Sequence, residues 1–154
     1  MPNTYTQLYI QLVFAVNFRK AVLDAKGDKR LRLYITGIIQ NNGHTMIAIN
    51  NMPDHMHMLI GLNPAQSLSN IMQLVKGDSS EWINKENLTA QKFSWQNGYG
   101  AFSYSRSQID RVAKYIQHQQ EHHKKQCFIE EYRKMLEAFS IEYDKRYIFQ
   151  KMEG

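Results

Sequence analysis

The run at residues 53–61 constrains the fold of this chain more than any other segment. Its sequence, Pro-Asp-His-Met-His-Met-Leu-Ile-Gly, is hydrophobic and bounded by turn-forming residues, which is typical of a β-strand. Side chains alternate between the two faces of a strand, so the methionines and Ile60 are predicted to face a core. His55 and His57 share the other face, where two imidazoles can bind one metal ion. Two solvated histidines on a surface strand are the alternative.

The composition indicates one globular domain with a basic balance of charge. The chain has 154 residues, of which 43% are hydrophobic, and its formal net charge is +5. This composition can fill a core, and the positive charge favours an anionic partner, most commonly nucleic acid. Cys127 is the only cysteine, which excludes an intrachain disulfide and a cysteine-based zinc site. We expect a cytoplasmic protein without a membrane span, because neither a signal peptide nor a long apolar run is recognisable.

The periodicity of apolar residues predicts alternating strands and helices. Partial alternation favours a strand near the start of the chain, and helical spacing of Leu31, Ile35 and Ile39 favours a helix after it. Pro53-Asp54 forms a turn into the histidine strand, which indicates a hairpin. The predicted elements are strands at 5–18 and 45–51, the histidine strand bounded by Pro53 and Gly61, and a Gly-interrupted strand region at 93–105. Helices are predicted at 24–41, capped by Asp24, and at 67–86, capped by Ser67.

This order, β-α-β-β-α-β, predicts an α+β protein with the ferredoxin-like split β-α-β arrangement, an antiparallel sheet with helices on one face. The histidine strand then lies near the centre of the sheet. Its histidine face is expected to be the one that the helices leave open. Further helices are predicted at 107–123, capped by Ser107, and at about 127–139, followed by a short strand near 146–149.

The helix predicted at 107–123 carries an apolar stripe and, beside it, a polar stripe. Helical positions advance by about 100° per residue, which places Tyr115, His118, Gln119 and His122 on the polar stripe. Tyr115 and Gln119 are one turn apart, so their side chains can approach the same point.

These motifs, in this order, resemble the single-tyrosine HUH transposases of small bacterial and archaeal insertion sequences, the IS200-like family. The resemblance rests on Met-Pro-Asp-His-Met-His at 52–57 and on the tyrosine helix at 115–123, and it includes residues 17–20 and 76–80. Met56 satisfies the family pattern of His, bulky hydrophobic residue, His. The resemblance covers most of the chain and implies a single domain over 1–154, with a core at about 5–106, a tyrosine-bearing helix at about 107–123 and a C-terminal helix and tail at about 127–150.

The resemblance also implies the chemistry of the site. Tyr115 would be the nucleophile, and His55, His57 and Gln119 would bind a divalent metal, Mg²⁺ or Mn²⁺. The family cleaves single-stranded DNA through a 5′-phosphotyrosine and a free 3′-hydroxyl, so that rejoining needs no ATP. Its substrate carries a hairpin at each element end. The implied assembly is a homodimer, in which the tyrosine helix can cross to the partner subunit.

Other residues have less specific assignments. His122 on the polar stripe either supports the metal site or ends the helix in solvent. Arg19, Lys20, Arg30 and Lys76 are candidate DNA contacts, because Lys and Arg bind phosphate.

Three other functions fit parts of the sequence. Residues 118–122 match His-x-x-Glu-His, the zinc signature of inverzincin proteases, but this reading leaves His55 and His57 without a role. An inactive or domesticated transposase could bind hairpin DNA without cleaving it. A replication initiator or relaxase would share the tyrosine chemistry, but such proteins usually carry further domains.

Overall fold

The computed structural model describes residues 3–17, 25–119, 127–144, 146, 148 and 149 of the chain. Within them lie four strands and four α-helices, in the order that the sequence predicts. No helix in these ranges is both long enough and apolar enough to cross a bilayer. The elements are β1 (Tyr9–Ala15), α1 (Ala25–Asn41), β2 (Thr45–Met52), β3 (His55–Gly61), α2 (Leu68–Lys85), β4 (Gly100–Tyr104), α3 (Ile109–Gln117) and α4 (Phe128–Ala138).

The four strands form one antiparallel sheet in the order β2-β3-β1-β4. β2 and β3 form the predicted hairpin, and β1 pairs with β3 on one side and β4 on the other. The ferredoxin-like α+β fold is therefore confirmed, and the histidine strand is central, as predicted. Opposite the histidines, Val13 of β1 pairs with His57, and Ala15 pairs with His55.

The main core lies on the face of β3 that carries Met56, Met58 and Ile60. α1 and α2 cover this face. The strand alternation predicted for β3 is thus correct, because the methionines are buried together with apolar residues from both helices. The helix residues of this core are Leu31, Ile35, Ile39, Ile71, Met72, Val75 and Ile83.

The histidine face is also covered, so the expectation that the helices leave it open is wrong. α4 packs Phe128, Tyr132 and Leu136 against strand residues that include Val13 and Phe102. A smaller cluster joins α3 to the sheet through Ile116, Ala48 and Leu59. The polar side chains of β3 are accommodated because both C-terminal helices bring polar groups as well as apolar ones to this face.

Several predicted boundaries shift. β1 begins at Tyr9 rather than residue 5, and the region 93–105 contains a short strand from Gly100 plus an isolated bridge between Val16 and Trp95. α3 ends at Gln117, whereas the sequence predicts its end at residue 123. The described residues near the predicted final strand, 144, 146, 148 and 149, are not in a strand.

Capping explains two of the helix starts. Ser67 caps α2 as predicted, and its hydroxyl accepts a hydrogen bond of 3.1 Å from the backbone N–H of Asn70. The predicted cap at Ser107 is wrong. Ser105 and Gln108 instead form a reciprocal capping box around a 3₁₀ turn that leads into α3. Asp24, the predicted cap of α1, lies outside the described residues.

Gly100 permits close packing between β4 and α4. A Cβ atom at this position would lie 2.7 Å from Cε1 and from the hydroxyl of Tyr132. The Tyr132 ring cannot readily move aside, because it is buried against Phe102, Phe128 and Phe149. We expect Gly100→Ala to destabilise the protein by about 1–3 kcal/mol, the scale of an overpacked core.

Gly37, within α1, provides the matched control. Beyond its own turn of helix, a Cβ atom there would meet no heavy atom within 4 Å, so Gly37→Ala should stabilise the protein by about 0.5–1 kcal/mol through helix propensity. Urea unfolding of both variants measures the difference. Equal stability of the two variants would contradict the proposed contact with Tyr132.

Candidate functional site

The two histidines of β3 are fully buried, with no exposed area. Their ring centroids lie 5.1 Å apart in an edge-to-face arrangement. Phe128 of α4 stacks on His55 at 3.9 Å between ring centroids, with 12° between the planes. The prediction that both imidazoles share one face of the strand is therefore correct, and this face is inside the protein.

Each histidine has a polar partner at Nδ1. The Nδ1–H of His55 donates to Oδ1 of Asp54 at 2.7 Å, which leaves Nε2 with a lone pair directed into the site. Nδ1 of His57 lies 2.8 Å from Nε2 of Gln11, and the Tyr104 hydroxyl donates to Oε1 of Gln11 at 2.7 Å. If the Gln11 amide is rotated by half a turn, its oxygen faces Nδ1 of His57. The His57 proton then lies on Nδ1, and the lone pair on Nε2 of His57 can bind a metal.

A carboxylate, that of Glu131 of α4, joins the two histidines. This carboxylate is only 2% exposed. Its Oε1 lies 3.0 Å from Nε2 of His57 and 3.7 Å from Nε2 of His55. Glu131 is not among the ligands that the sequence predicts.

Tyr115 of α3 reaches the same cluster within one chain. Its hydroxyl donates a hydrogen bond to Oε2 of Glu131, and its ring lies edge-on to His57 at 6.4 Å between centroids. Asn50 of β2 holds the end of the helix in place, because its side-chain amide donates to the backbone carbonyls of Ile116 and Gln117. The strand register places Asn50 opposite His57, so this contact fixes α3 beside the histidine pair.

Gln119 is fully buried beside Tyr115, although it lies beyond the end of α3. Its Nε2 lies 3.4 Å from Oε2 of Glu131, to which it donates. Its Oε1 is buried and accepts no hydrogen bond from any residue that the structure describes. The predicted residues His55, His57, Tyr115 and Gln119 are therefore brought together in one place.

Burial dominates the electrostatics of the site. It lowers the pKa of His55 to about 4, so this imidazole is neutral at physiological pH and available as a ligand. Burial also raises the pKa of Tyr115, and the Glu131 carboxylate raises it further. The tyrosine is consequently protonated at neutral pH and needs compensating positive charge or a base before it can act as a nucleophile.

The site has the donor set of a divalent metal centre. The candidate ligand atoms of His55, His57 and Glu131 all lie within 4.8 Å of one another. Two imidazoles, a carboxylate and an amide oxygen suit Mn²⁺ and other first-row metals, and Mg²⁺ accepts the oxygen donors. The buried Oε1 of Gln119 supplies a further oxygen that a metal can coordinate.

The remaining predicted site residues that the structure describes lie outside this cluster. His118 is exposed and its Nδ1 pairs with the backbone carbonyl of Lys114. It is therefore not part of the cluster, although helical spacing predicts it on the same polar stripe as Tyr115. Arg30 lies over the Trp82 ring at 5.4 Å and pairs with Glu86 at 3.6 Å. Arg19, Lys20, Glu121 and His122 are outside the described residues.

Lys76 has structural contacts in addition to its charge. Its ammonium group donates to the backbone carbonyls of Gln96 and Gly98, and so holds the loop before β4. Burial lowers the pKa of Lys76 to about 8.

Comparison with known proteins identifies the family of the chain. The profile of the family described as "Transposase IS200 like" matches residues 4–119, about three quarters of the chain. The chain is similar to the ISDra2 transposase TnpA of Deinococcus radiodurans, with 28% identity over 119 residues, covering 73% of this chain and 84% of the relative.

Two solved structures share the fold. One is a crystal structure from Deinococcus radiodurans R1, described as a candidate transposase, with a TM-score of 0.59 and 22% identity over 76% of this chain and 94% of that one. The other is the REP-associated tyrosine transposase bound to a REP hairpin, with a TM-score of 0.56 and 15% identity over 74% of this chain and 67% of that one. Because the family profile spans most of the sequence, the chain belongs to the family of IS200-like transposases.

Proposed function

We propose that this protein cleaves and rejoins single-stranded DNA at insertion-sequence ends, with Tyr115 as the nucleophile and a divalent metal held by His55, His57 and Gln119. One observation carries the proposal. The Tyr115 hydroxyl and the buried histidine pair contact the same carboxylate, so nucleophile and candidate metal ligands form a single cluster. A tyrosine with only a structural role would not need this arrangement.

The proposed reaction is a transesterification. Oη of Tyr115 gives up its proton and attacks the scissile phosphorus, and the bond from phosphorus to the 3′-oxygen breaks. The 3′-oxygen leaves as a hydroxyl after taking a proton, so the net transfer of one proton is from the tyrosine to the leaving group. The product is a 5′-phosphotyrosine, which conserves the phosphodiester energy for rejoining. A bound divalent cation would neutralise phosphate charge and lower the barrier to attack. The chain itself supplies orientation, since Asn50 fixes α3 and Glu131 accepts the Tyr115 hydrogen bond.

We propose hairpin-bearing single-stranded DNA as the substrate. The net charge of +5 favours a nucleic-acid partner. The related tyrosine transposase in complex with a REP hairpin supports a hairpin for this chain as well. Arg19, Lys20, Arg30 and Lys76 stay proposals as phosphate contacts. Arg30 is half-exposed, which suits that role.

We also propose a homodimer, because two element ends require two tyrosines. The resemblance leaves open whether the tyrosine helix is exchanged between subunits. The contact between Tyr115 and Glu131 of the same chain supports a site assembled in cis.

The proposed function can be tested with single-stranded oligonucleotides that carry the ends of the element and Mn²⁺ or Mg²⁺. Substrate labelled at its 3′ end is expected to give a labelled protein adduct on a denaturing gel. Substrate labelled at its 5′ end is expected to give a shorter free fragment with a 3′-hydroxyl. A chelator should abolish both products, because the phosphate charge would then be uncompensated.

The labelling pattern separates the alternatives. Adduct that forms equally well with a chelator present would remove the metal from the proposal. Tight hairpin binding without any cleavage would favour the non-catalytic DNA-binding protein. A labelled adduct from 5′-labelled substrate, but not from 3′-labelled substrate, would mean that the protein is joined to the fragment on the other side of the scissile phosphate.

A further inference from the structure

We propose that Glu131 is an anionic ligand of the metal, so that helix α4 is part of the metal centre. This inference rests on the proposed metal-dependent function and extends it to a residue outside the family profile, which ends at residue 119. The ligand set then comes from three parts of the chain: β3, the residue after α3, and α4.

The distances around Glu131 fit ligands that share one ion. Metal–ligand bonds of about 2.1 Å at right angles place neighbouring ligand atoms about 3.0 Å apart. Oε1 of Glu131 lies 3.0 Å from Nε2 of His57, in a hydrogen bond that a shared cation would replace, and 3.7 Å from Nε2 of His55. The second distance is too long for a hydrogen bond. It corresponds to an angle of about 120° between two bonds of about 2.1 Å to one cation, which is wider than a right angle.

The orientation of His55 supports the same reading. An ionised Asp54 carboxylate can accept but cannot donate a hydrogen bond. The proton of His55 must therefore be on Nδ1. The lone pair on Nε2 of His55 therefore faces Oε1 of Glu131. Two acceptor atoms that face each other repel, and a cation that binds both of them removes this repulsion.

The second oxygen of Glu131 makes different contacts. Oε2 accepts hydrogen bonds from the Tyr115 hydroxyl and from Nε2 of Gln119. A carboxylate that binds metal through Oε1 alone can keep both of these bonds. Glu131 would then position the nucleophile beside the metal while serving as a ligand.

Packing ties this ligand to the docking of α4. Phe128 stacks on His55, and Tyr132 lies against Gly100 of the sheet, so Glu131 reaches the histidines only when α4 is seated. A metal that binds the seated state more tightly must stabilise it by linkage. Metal binding should accordingly protect the backbone amides of α4 from exchange.

The test is Mn²⁺ binding by the full chain in the absence of DNA, measured by calorimetry and by electron paramagnetic resonance. We expect Glu131→Gln, which keeps the shape and one of the two acceptor oxygens but removes the charge, to weaken Mn²⁺ binding by about 10-fold or more. Glu130→Gln is the matched control, since this neighbour on α4 is exposed, and it should bind Mn²⁺ as the unmodified protein does. Circular dichroism of the metal-free variants verifies their folding.

Hydrogen exchange of the unmodified protein gives an independent measurement should Glu131→Gln fail to fold. Mn²⁺ is expected to slow exchange over residues 128–138. Unchanged exchange there, or Glu131→Gln that binds Mn²⁺ with full affinity, would overturn the proposal. If the unmodified protein binds Mn²⁺ through Glu131 but forms no DNA adduct, the proposed function fails while this inference stands. If adduct formation is metal-dependent and Glu131→Gln binds normally, only this inference fails.

Discussion

Tyr115→Phe is expected to abolish the covalent protein–DNA adduct, with cleavage reduced by about 10⁴-fold or more, the scale on which loss of a nucleophile acts. The substitution removes the attacking oxygen and the hydrogen bond to Glu131 but keeps the ring beside His57. Metal affinity should change little, because no proposed ligand is altered. The measurement is the denaturing-gel assay with 3′-labelled DNA.

Tyr99→Phe is the control for this prediction. Tyr99 is half-buried and packs against the core on the other face of the sheet, so loss of its hydroxyl leaves the proposed site intact. Adduct formation by this variant should match that of the unmodified protein. Persistent adduct in Tyr115→Phe, mapped to another tyrosine, would remove Tyr115 from the nucleophile's role.

The central part of the site is predictable from sequence because local spacing determines it. Alternation along a strand places His55 and His57 on one face whatever surrounds the strand. One helical turn separates Tyr115 from its candidate partner Gln119, although the actual helix ends between them at Gln117. The sequence does not encode that ending locally, because the contact from Asn50 to the last carbonyls of α3 depends on tertiary packing.

Glu131 could have been found from its position in the predicted C-terminal helix. Phe128, Tyr132 and Leu136 follow one another at four-residue intervals, and Glu131 lies on the same stripe, three residues after Phe128. A glutamate is almost never fully buried without a partner, so a lone carboxylate on an apolar stripe indicates a buried polar site. The sequence could not show which partners it meets, because the docking of α4 on the histidine face involves residues far apart in the chain. The same long-range packing explains why this face is closed rather than open.

A mixture of two inactive variants tests whether each site is formed within one subunit or between two, and its expected result is all-or-none. Tyr115→Phe lacks the nucleophile but keeps the metal ligands, whereas His55→Ala lacks a ligand but keeps Tyr115. If each site is built within one chain, as the contact between Tyr115 and Glu131 supports, every site in a mixed dimer carries a defect. We therefore expect mixtures of the two variants to form no more adduct than either variant alone.

Exchange of the tyrosine helix predicts the opposite outcome. In a mixed dimer, Tyr115 of the His55→Ala chain would meet the intact histidines of the other chain, and random mixing would restore about a quarter of the sites. Tags of different size would show the adduct on the His55→Ala chain, and subunit mixing would be verified by co-purification through both tags. Because His55 lies between Asp54 and the Phe128 ring, circular dichroism must show that His55→Ala retains its fold. Adduct on the His55→Ala chain would exclude cis assembly. Absence of adduct in verified mixed dimers would exclude exchange, because such dimers contain both the tyrosine and the histidines that a site formed in trans requires.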